Sequence, residues 1–330
     1  MNIRLKNLAI KGISAVIPKN KLDLTTLEDK FGLNEIKRVM MSTGIESVGI
    51  ALPHQKASDF CLEAARNLMA ALAIAPESVD AIIFVSQTPD YKMPATSCIL
   101  QGKLQLPKTA IALDINYGCS GYIYGLYQAS LLINSGSCKR VLICVGDTIS
   151  QYLNPDDQKV RLVFGDGGAA TIVEQGTHDI AFNIMTDGTG FQHLMIDKTK
   201  EGGDAYLHMN GSEIMEFALR EVPLSINSVL AQMGWAKEEV GIFALHQANQ
   251  FILDYLRKKL ALSKEQVPIT VKHYGNTGPA SIPLALCHER ESFTAKTKEQ
   301  VVLSGFGVGL SWGSMAMNLS ETRLMGVTEI

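Results

Sequence analysis

DINYGCSGYIYGLYQASLLI, residues 114–133, holds the reading that decides the fold. It closes a mostly apolar run from Thr109 to Ile115, short enough for a buried strand and stopped by Asn116. From Ser120 to Ile133 there is no charge, and the run has the length of a buried helix ending at Ser135-Gly136. Cys119 therefore falls on a strand-to-helix turn, with Gly118 and Gly121 permitting a tight path and close approach of backbone or ligand. A thiol at a helix N-terminus feels the positive end of the dipole, which favours the thiolate. Free cysteine is also a common small core residue. The stretch alone leaves both readings open.

Working outward, strand-like and helix-like runs alternate. Ala9 to Ile17 reads as a strand, Ala57 to Ala75 as an amphipathic helix, Ala81 to Ser86 as a strand and Thr96 to Leu104 as a helix. Arg140 to Gly146 and Gly167 to Glu174 follow as strands. The order partly recurs: Ile180 to Thr186 is a strand, Gly211 to Met233 a helix, Val240 to Leu245 a strand, and helices cover Asn249 to Leu260 and Ser281 to Arg290. Alternation of this kind implies an α/β sheet covered by helices. No short repeat is visible, and a duplication of about 160 residues is the economical reading. No Pro/Ser-rich linker interrupts the chain, so the halves are expected to share one continuous core.

The chain has 330 residues, 46% hydrophobic and 19% charged, as expected of a globular protein with a large core. A net charge of -3 gives no support to a nucleic-acid partner. The N-terminal residues lack a secretory pattern. The six cysteines are dispersed without metal-ligand spacing, which reads as a cytoplasmic chain with reduced thiols and no metal. Val301 to Leu319 is nineteen residues without a charge, but its glycines and serines read as two core strands around a turn rather than a membrane span.

Three segments carry chemistry together: GCSG at Cys119, ALHQANQ at His246 and YGNTGPAS at Asn276. His246 follows the apolar run 242–245 and so lies at a strand end. Asn276 lies in a glycine-flanked turn before a helix. Open α/β folds assemble sites at strand ends and the turns beyond them. A thiol, an imidazole and a carboxamide can make an acyl-transfer site. Taken singly, His246 also reads as a satisfied core histidine and Asn276 as turn chemistry. His273, near Asn276, reads as strand-end surface. FGDGGAATIVE from Phe164 lacks a Walker lysine and leads into a strand, so close backbone packing is the better reading. SGFGVGLSWGS from Ser304 can aim backbone N–H groups at a developing oxyanion.

The ordered set GCSG, FGDGGAA, HQAN, GNTGPAS and GFGVGLSWG resembles the β-ketoacyl-acyl-carrier-protein synthase III family of thiolase-like condensing enzymes, over nearly the whole chain. The resemblance implies a five-layered αβαβα fold of duplicated halves, 1–175 carrying Cys119 and 176–330 carrying His246 and Asn276, in a homodimer. It implies that Cys119 takes an acyl group from a thioester. His246 and Asn276 then hold malonyl-carrier protein through decarboxylation and condensation to a 3-oxoacyl-carrier protein. The backbone N–H groups of Cys119 and Val308 form the oxyanion hole, Val308 standing where many members have glycine. No cofactor is implied, and the partners are acyl and malonyl thioesters of acyl-carrier protein, with acyl-CoA as the other donor.

The entrance departs from the family. Arg38 and Ser42 stand at the Trp and Arg that sandwich the CoA adenine, Gln151 at an Arg near its phosphates, Phe251 at a carrier-docking Arg, and Glu216 at a docking Lys. Arg220 lies one turn from Glu216, and Lys258 and Lys259 match basic positions. Met93 stands at the Phe that reaches into the neighbouring subunit's acyl pocket. Three rivals remain: a same-fold acyltransferase passing the acyl group to an alcohol or amine, a cysteine hydrolase, and a non-catalytic dimer partner.

Overall fold

A computed structural model describes residues 1–198, 205–291 and 299–330. The first half begins with β1 (Asn2–Ile17), β2 (Lys21–Asp23), α1 (Glu28–Phe31), α2 (Leu33–Thr43) and β3 (Ser47–Gly49). The alternation then sets in: α3 (Ala57–Ala71), β4 (Ala81–Val85), α4 (Thr96–Lys103), β5 (Ile111–Ile115), α5 (Gly121–Asn134), β6 (Arg140–Asp147), α6 (Gln158–Arg161) and β7 (Gly167–Gln175). The second half runs β8 (His178–Thr186), β9 (Leu194–Lys198), β10 (Ala205–Met209), α7 (Gly211–Met233), β11 (Ile242–Leu245), α8 (Gln250–Lys259), α9 (Val271–Tyr274), α10 (Ser281–His288), β12 (Gln300–Gly307), β13 (Ser311–Asn318) and β14 (Arg323–Glu329).

The main sheet has the order β11-β12-β13-β8-β1-β7-β6-β4-β5, with β14 also on β1. It joins two copies of one pattern. β4 and β6 are parallel, β7 runs against β6, and β1 against β7. Likewise β11 and β12 are parallel, β13 runs against β12, and β8 against β13. The two copies meet in β1, whose residues 2–8 pair with β8 while residues 8–16 pair with β7. Helices α5 and α10 pack against strands of both copies, α3 covers the first copy on its other face, and α7 lies on β13, β8 and β12 of the second. These are the five layers expected. The central helices are apolar on nearly all sides, which suits burial between two sheets.

Some elements differ from the sequence reading. Strand 109–115 was expected to be buried; β5 covers only Ile111–Ile115 and is the sheet's edge, with Ile111 45% exposed. It pairs with β4 alone, so one side of it has no covering strand in the single chain. Helix α3 stops at Ala71 rather than Ala75, because the chain turns through a left-handed Ala73 at φ 52°. His273 lies in the one-turn helix α9 and stacks on His288, with ring centroids 5.9 Å apart. The uncharged run 301–319 forms β12 and β13, and no described helix is long and apolar enough to cross a membrane.

Candidate active site

The candidate residues collect at the carboxyl ends of parallel strands. Cys119 follows β5, Asp147 ends β6, His246 follows β11 and Val308 follows β12. That is where crossover loops of an open α/β sheet converge. Ser120, the residue before α5, gives its side chain to Ser311 Oγ at 2.7 Å, which pins the nucleophile turn to the start of β13. β12 passes so close that a Cβ on Gly305 would stand 2.8 Å from the Cys119 carbonyl oxygen and 2.9 Å from Ser120 Cα. Glycine at that position is a requirement of this approach.

The Cys119 thiol does not have the lowered pKa expected of a helix N-terminus. Burial pushes it up to about 12, with the Asp147 charge adding to the effect, while backbone hydrogen bonds at Cys119 and Val308 oppose it. The displacement corresponds to about 4 kcal/mol, whereas a helix terminus contributes up to about 2 kcal/mol. Burial therefore wins, and the resting thiol is protonated and only 8% exposed. The Val308 contact brings the β12–β13 turn against the sulfur.

His246 is 1% exposed and is fixed on both sides. Its backbone N–H donates to the Ser304 carbonyl at 2.8 Å, continuing the β11–β12 ladder. Its Nδ1 lies 2.7 Å from Ser281 Oγ, and Phe306 packs edge-on against the ring at 5.4 Å between centroids. Burial drives the imidazole down to about 3, a hydrogen bond with the Gly278 backbone opposing. At neutral pH the ring is uncharged and carries a single N–H.

Asn276 is reached through Gly275, which adopts φ 65°. Its backbone bridges Phe164, donating to Val163 O at 2.9 Å and accepting from Gly165 N at 3.0 Å. Its Oδ1 accepts the Gly278 N–H at 3.0 Å, so what the carboxamide can offer a ligand is its NH2 group. Gly278, at φ 58°, joins the two residues, and a Cβ there would stand 2.9 Å from Asp147 Oδ2.

Asp147 was not singled out by the sequence. It is 3% exposed, and its Oδ1 accepts from Ser86 Oγ at 2.8 Å, Gln87 N at 2.8 Å, Thr88 N at 3.1 Å and Thr88 Oγ1 at 3.0 Å. Burial raises its pKa to about 6 against the pull of these bonds. The carboxylate clamps the loop after β4 against the end of β6.

A cavity of about 330 Å³ opens onto Cys119, Val308 and Gly278. Gln87, Asn116 and Asp147 are among its polar lining residues, and Ile149, Phe164, Phe191, Leu194 and Leu207 among its apolar ones. His246 and Asn276 are not among its lining residues; both hydrogen-bond with the Gly278 backbone, and no hydrogen bond joins either to Cys119 among the described residues. The β9–β10 pair was absent from the sequence reading because its residues 194–198 and 205–209 carry a short, mixed pattern. Ser281 ends the YGNTGPAS stretch, and nothing local in that stretch reveals that it reaches His246. A larger cleft of about 470 Å³ lies against Arg257, Lys264 and Pro268 and contains none of the candidate residues.

The entrance residues are spread over the surface. Arg38 is held by Glu35 in an ion pair, and Ser42 Oγ donates to Val39 O at 3.0 Å. Gln151 Nε2 donates to Gln55 O at 3.0 Å. Arg220 pairs with Glu221 at 2.8 Å and Glu216 at 3.8 Å, and Lys259 Nζ donates to Leu219 O at 2.7 Å. Phe251, 54% exposed, and Lys258 share a groove of about 250 Å³ with Met41, Ser42 and Tyr255. Met93 is 83% exposed, away from its own chain's cavity lining. Among the described residues no cluster of three His, Cys, Asp or Glu side chains is placed to hold a metal ion.

Comparison with known proteins shows what the whole chain is similar to. Residues 113–188 match the family model of 3-oxoacyl-[acyl-carrier-protein] synthase III, and residues 230–319 match its C-terminal model. The beta-ketoacyl-[acyl-carrier-protein] synthase III of Bacillus pumilus (strain SAFR-032) is 35% identical over 314 residues, covering 94% of this chain and 98% of that protein. The crystal structure of a 3-oxoacyl-(acyl-carrier protein) synthase from Burkholderia xenovorans LB400 superposes with a TM-score of 0.95 at 36% identity, covering 100% of this chain and 99% of that one. The 3-oxoacyl-(acyl carrier protein) synthase III of Pseudomonas aeruginosa PAO1 gives a TM-score of 0.89 at 29% identity, covering 97% of this chain and 100% of that one. Resemblance on this scale, at 35% identity over nearly the whole length of both chains, shows that the chain belongs to the 3-oxoacyl-[acyl-carrier-protein] synthase III family.

Proposed function

We propose that the chain makes a 3-oxoacyl thioester in two steps on Cys119. In the first, Cys119 Sγ bonds to the carbonyl carbon of an acyl thioester, the donor's C–S bond breaks, and the thiol proton passes to the leaving thiolate. In the second, malonyl-carrier protein loses CO2, the electron pair left behind becomes an enolate, and its carbon displaces Cys119 from the acyl group. Negative charge develops on oxygen in both steps, so aimed neutral donors contribute most. The Cys119 and Val308 N–H groups serve the acyl carbonyl, and His246 Nε2–H with the Asn276 NH2 serves the malonyl carbonyl.

The observation that carries this reading over simple acyl transfer is the depressed basicity of His246. An acyltransferase or hydrolase needs a general base with a pKa near the operating pH to activate its acceptor. An imidazole at about 3, fixed by Ser281, is a poor base and a good neutral donor. His246→Ala and Asn276→Ala should therefore retain acylation of Cys119, read by intact mass, while CO2 release from malonyl-carrier protein falls by roughly 10²-fold or more. Near wild-type CO2 release from both variants would refute the assignment. Acyl transfer to an alcohol without CO2 release would establish the rival.

The donor and the assembly belong to the same proposal. Arg38 is occupied by Glu35 and Gln151 brings no charge, so a carrier-protein thioester is the better donor than acyl-CoA. The carrier docks over Phe251 and Lys258. The unpaired side of β5 supports a homodimer: Thr96 and Ser97 N–H groups hold Asp114 of that strand at 2.7 and 2.8 Å, which ties the Met93 loop to the same edge. The six free cysteines suit a reducing, cytoplasmic setting. The halves 1–175 and 176–330 are read as a duplication, which the repeated strand order supports.

A further inference from the structure

The cavity beside Cys119 combines an apolar lining with three polar side chains, Gln87, Asn116 and Asp147. Among its lining residues Phe191 is 58% exposed and Asp147 3% exposed. The polar groups come from the ends of three adjacent strands: Gln87 after β4, Asn116 after β5 and Asp147 at the end of β6. On the condensing reading the carrier arm passes the exposed Phe191, and the part of the acyl group beyond the thioester carbonyl lies among these strand-end groups.

Gln87 is half-buried, and its backbone is fixed by Asp147 at 2.8 Å. Its Oε1 rests against Gly118, where a Cβ would overlap it, one residue before the nucleophile. No hydrogen bond to its carboxamide is found among the described residues. Asp147 takes its four bonds on Oδ1, while Oδ2 lies beside Gly278 at the cavity wall. Asn116 is exposed in the single chain and adds a second carboxamide to the lining. A purely hydrocarbon acyl group would cover these groups without pairing them, at about 1–3 kcal/mol for each one left unsatisfied.

We infer that the acyl group this enzyme takes onto Cys119 is short and carries a neutral hydroxyl, which hydrogen-bonds to Gln87 and Asp147 in the cavity lining. This rests on the condensing reading above and names its first substrate class. The Asp147 carboxylate disfavours an anionic acyl group. The volume, near the lower end for small-molecule pockets, must also hold the end of the carrier arm, which disfavours a long chain.

The test presents butyryl, 3-hydroxybutyryl and succinyl groups as N-acetylcysteamine thioesters and follows the rate of Cys119 acylation by intact mass. The wild-type protein should take 3-hydroxybutyryl at least about tenfold faster than butyryl, and succinyl slowest, since sites built to pair a hydroxyl reject the analogue lacking it. Gln87→Leu, similar in size, should bring the hydroxyl preference to within about twofold, chiefly by accepting butyryl faster. Equal or faster acylation of the wild type by butyryl or succinyl overturns the inference and leaves the condensing function standing. Hydroxyl preference retained undiminished in a folded Gln87→Leu also overturns the assignment to that residue. Failure of every thioester to acylate Cys119 overturns the condensing reading and this inference with it. The wild-type comparison stands even if the variant does not fold.

Discussion

Replacing Ser281 by alanine isolates the fixing of His246 from its presence. Ser281 Oγ is 2.7 Å from His246 Nδ1 and accepts, more weakly, from Gln247 N at 3.4 Å. Both residues are 1% exposed, so water cannot readily replace the lost hydroxyl. A buried polar group left unpaired costs about 1–3 kcal/mol, which should lower the unfolding midpoint by a few degrees for a chain of this size. The ring also loses the contact that holds its orientation. If about 1–2 kcal/mol of that loss appears in the condensation transition state, turnover falls roughly 5- to 30-fold. Acylation of Cys119 does not use the imidazole and should stay within about twofold of wild type. The assay is single-turnover: load Cys119, add malonyl-carrier protein, and follow decay of the acyl-enzyme mass and release of CO2. Equal losses in both half-reactions would mean that Ser281 acts through general stability. Wild-type condensation would mean that His246 needs no orientation, and the donor argument would fail.

Three further outcomes follow from the same structure. Alkylation of Cys119 by iodoacetamide should climb about tenfold per pH unit from neutrality upward, because the thiolate is the reacting form and the thiol titrates near 12; a plateau near pH 7 would show that the helix terminus outweighs burial. Phe251→Ala and Lys258→Glu should leave acylation by a small thioester unchanged while raising KM for carrier-protein substrates by roughly threefold to tenfold, about 0.7–1.4 kcal/mol; unchanged carrier KM in both would move the docking face elsewhere. Light scattering should find a dimer at micromolar protein, and a stable, active monomer would remove the role of the β5 edge and of Met93.

Much of the site was legible because its chemistry sits in local motifs at strand ends. The pairing of a glycine-bounded Cys119 with a long uncharged run located the nucleophile, and the apolar run before His246 located the second strand end. What escaped depended on contacts distant in sequence. The thiol's protonation is decided by burial and by Asp147, from another strand. Gln87 and Asn116 reach the cavity only because β4, β5 and β6 end side by side. The edge position of β5 was invisible for the same reason: its apolar composition resembles that of a central strand, and only the order of pairing places it outside. At the entrance, the sequence exposed the lost aromatic and basic side chains but not the neutralisation of Arg38 by Glu35 or of Arg220 by Glu216 and Glu221.

β1 has a consequence for how the molecule is made. Its residues pair with β7, with β8 and with β14, and the Lys11–Glu321 ion pair beside it closes a loop of 310 positions. A ribosome delivers β1 long before β14, so the strand that unites both sheets waits with apolar faces uncovered and one edge open. Topologies dominated by such distant pairings fold slowly and expose aggregation-prone surface while they do so. Chaperone supply and translation temperature should therefore govern the yield of this protein more than its final stability does, and a chain halted before Arg323 should be caught by quality control rather than persist as a partly active fragment.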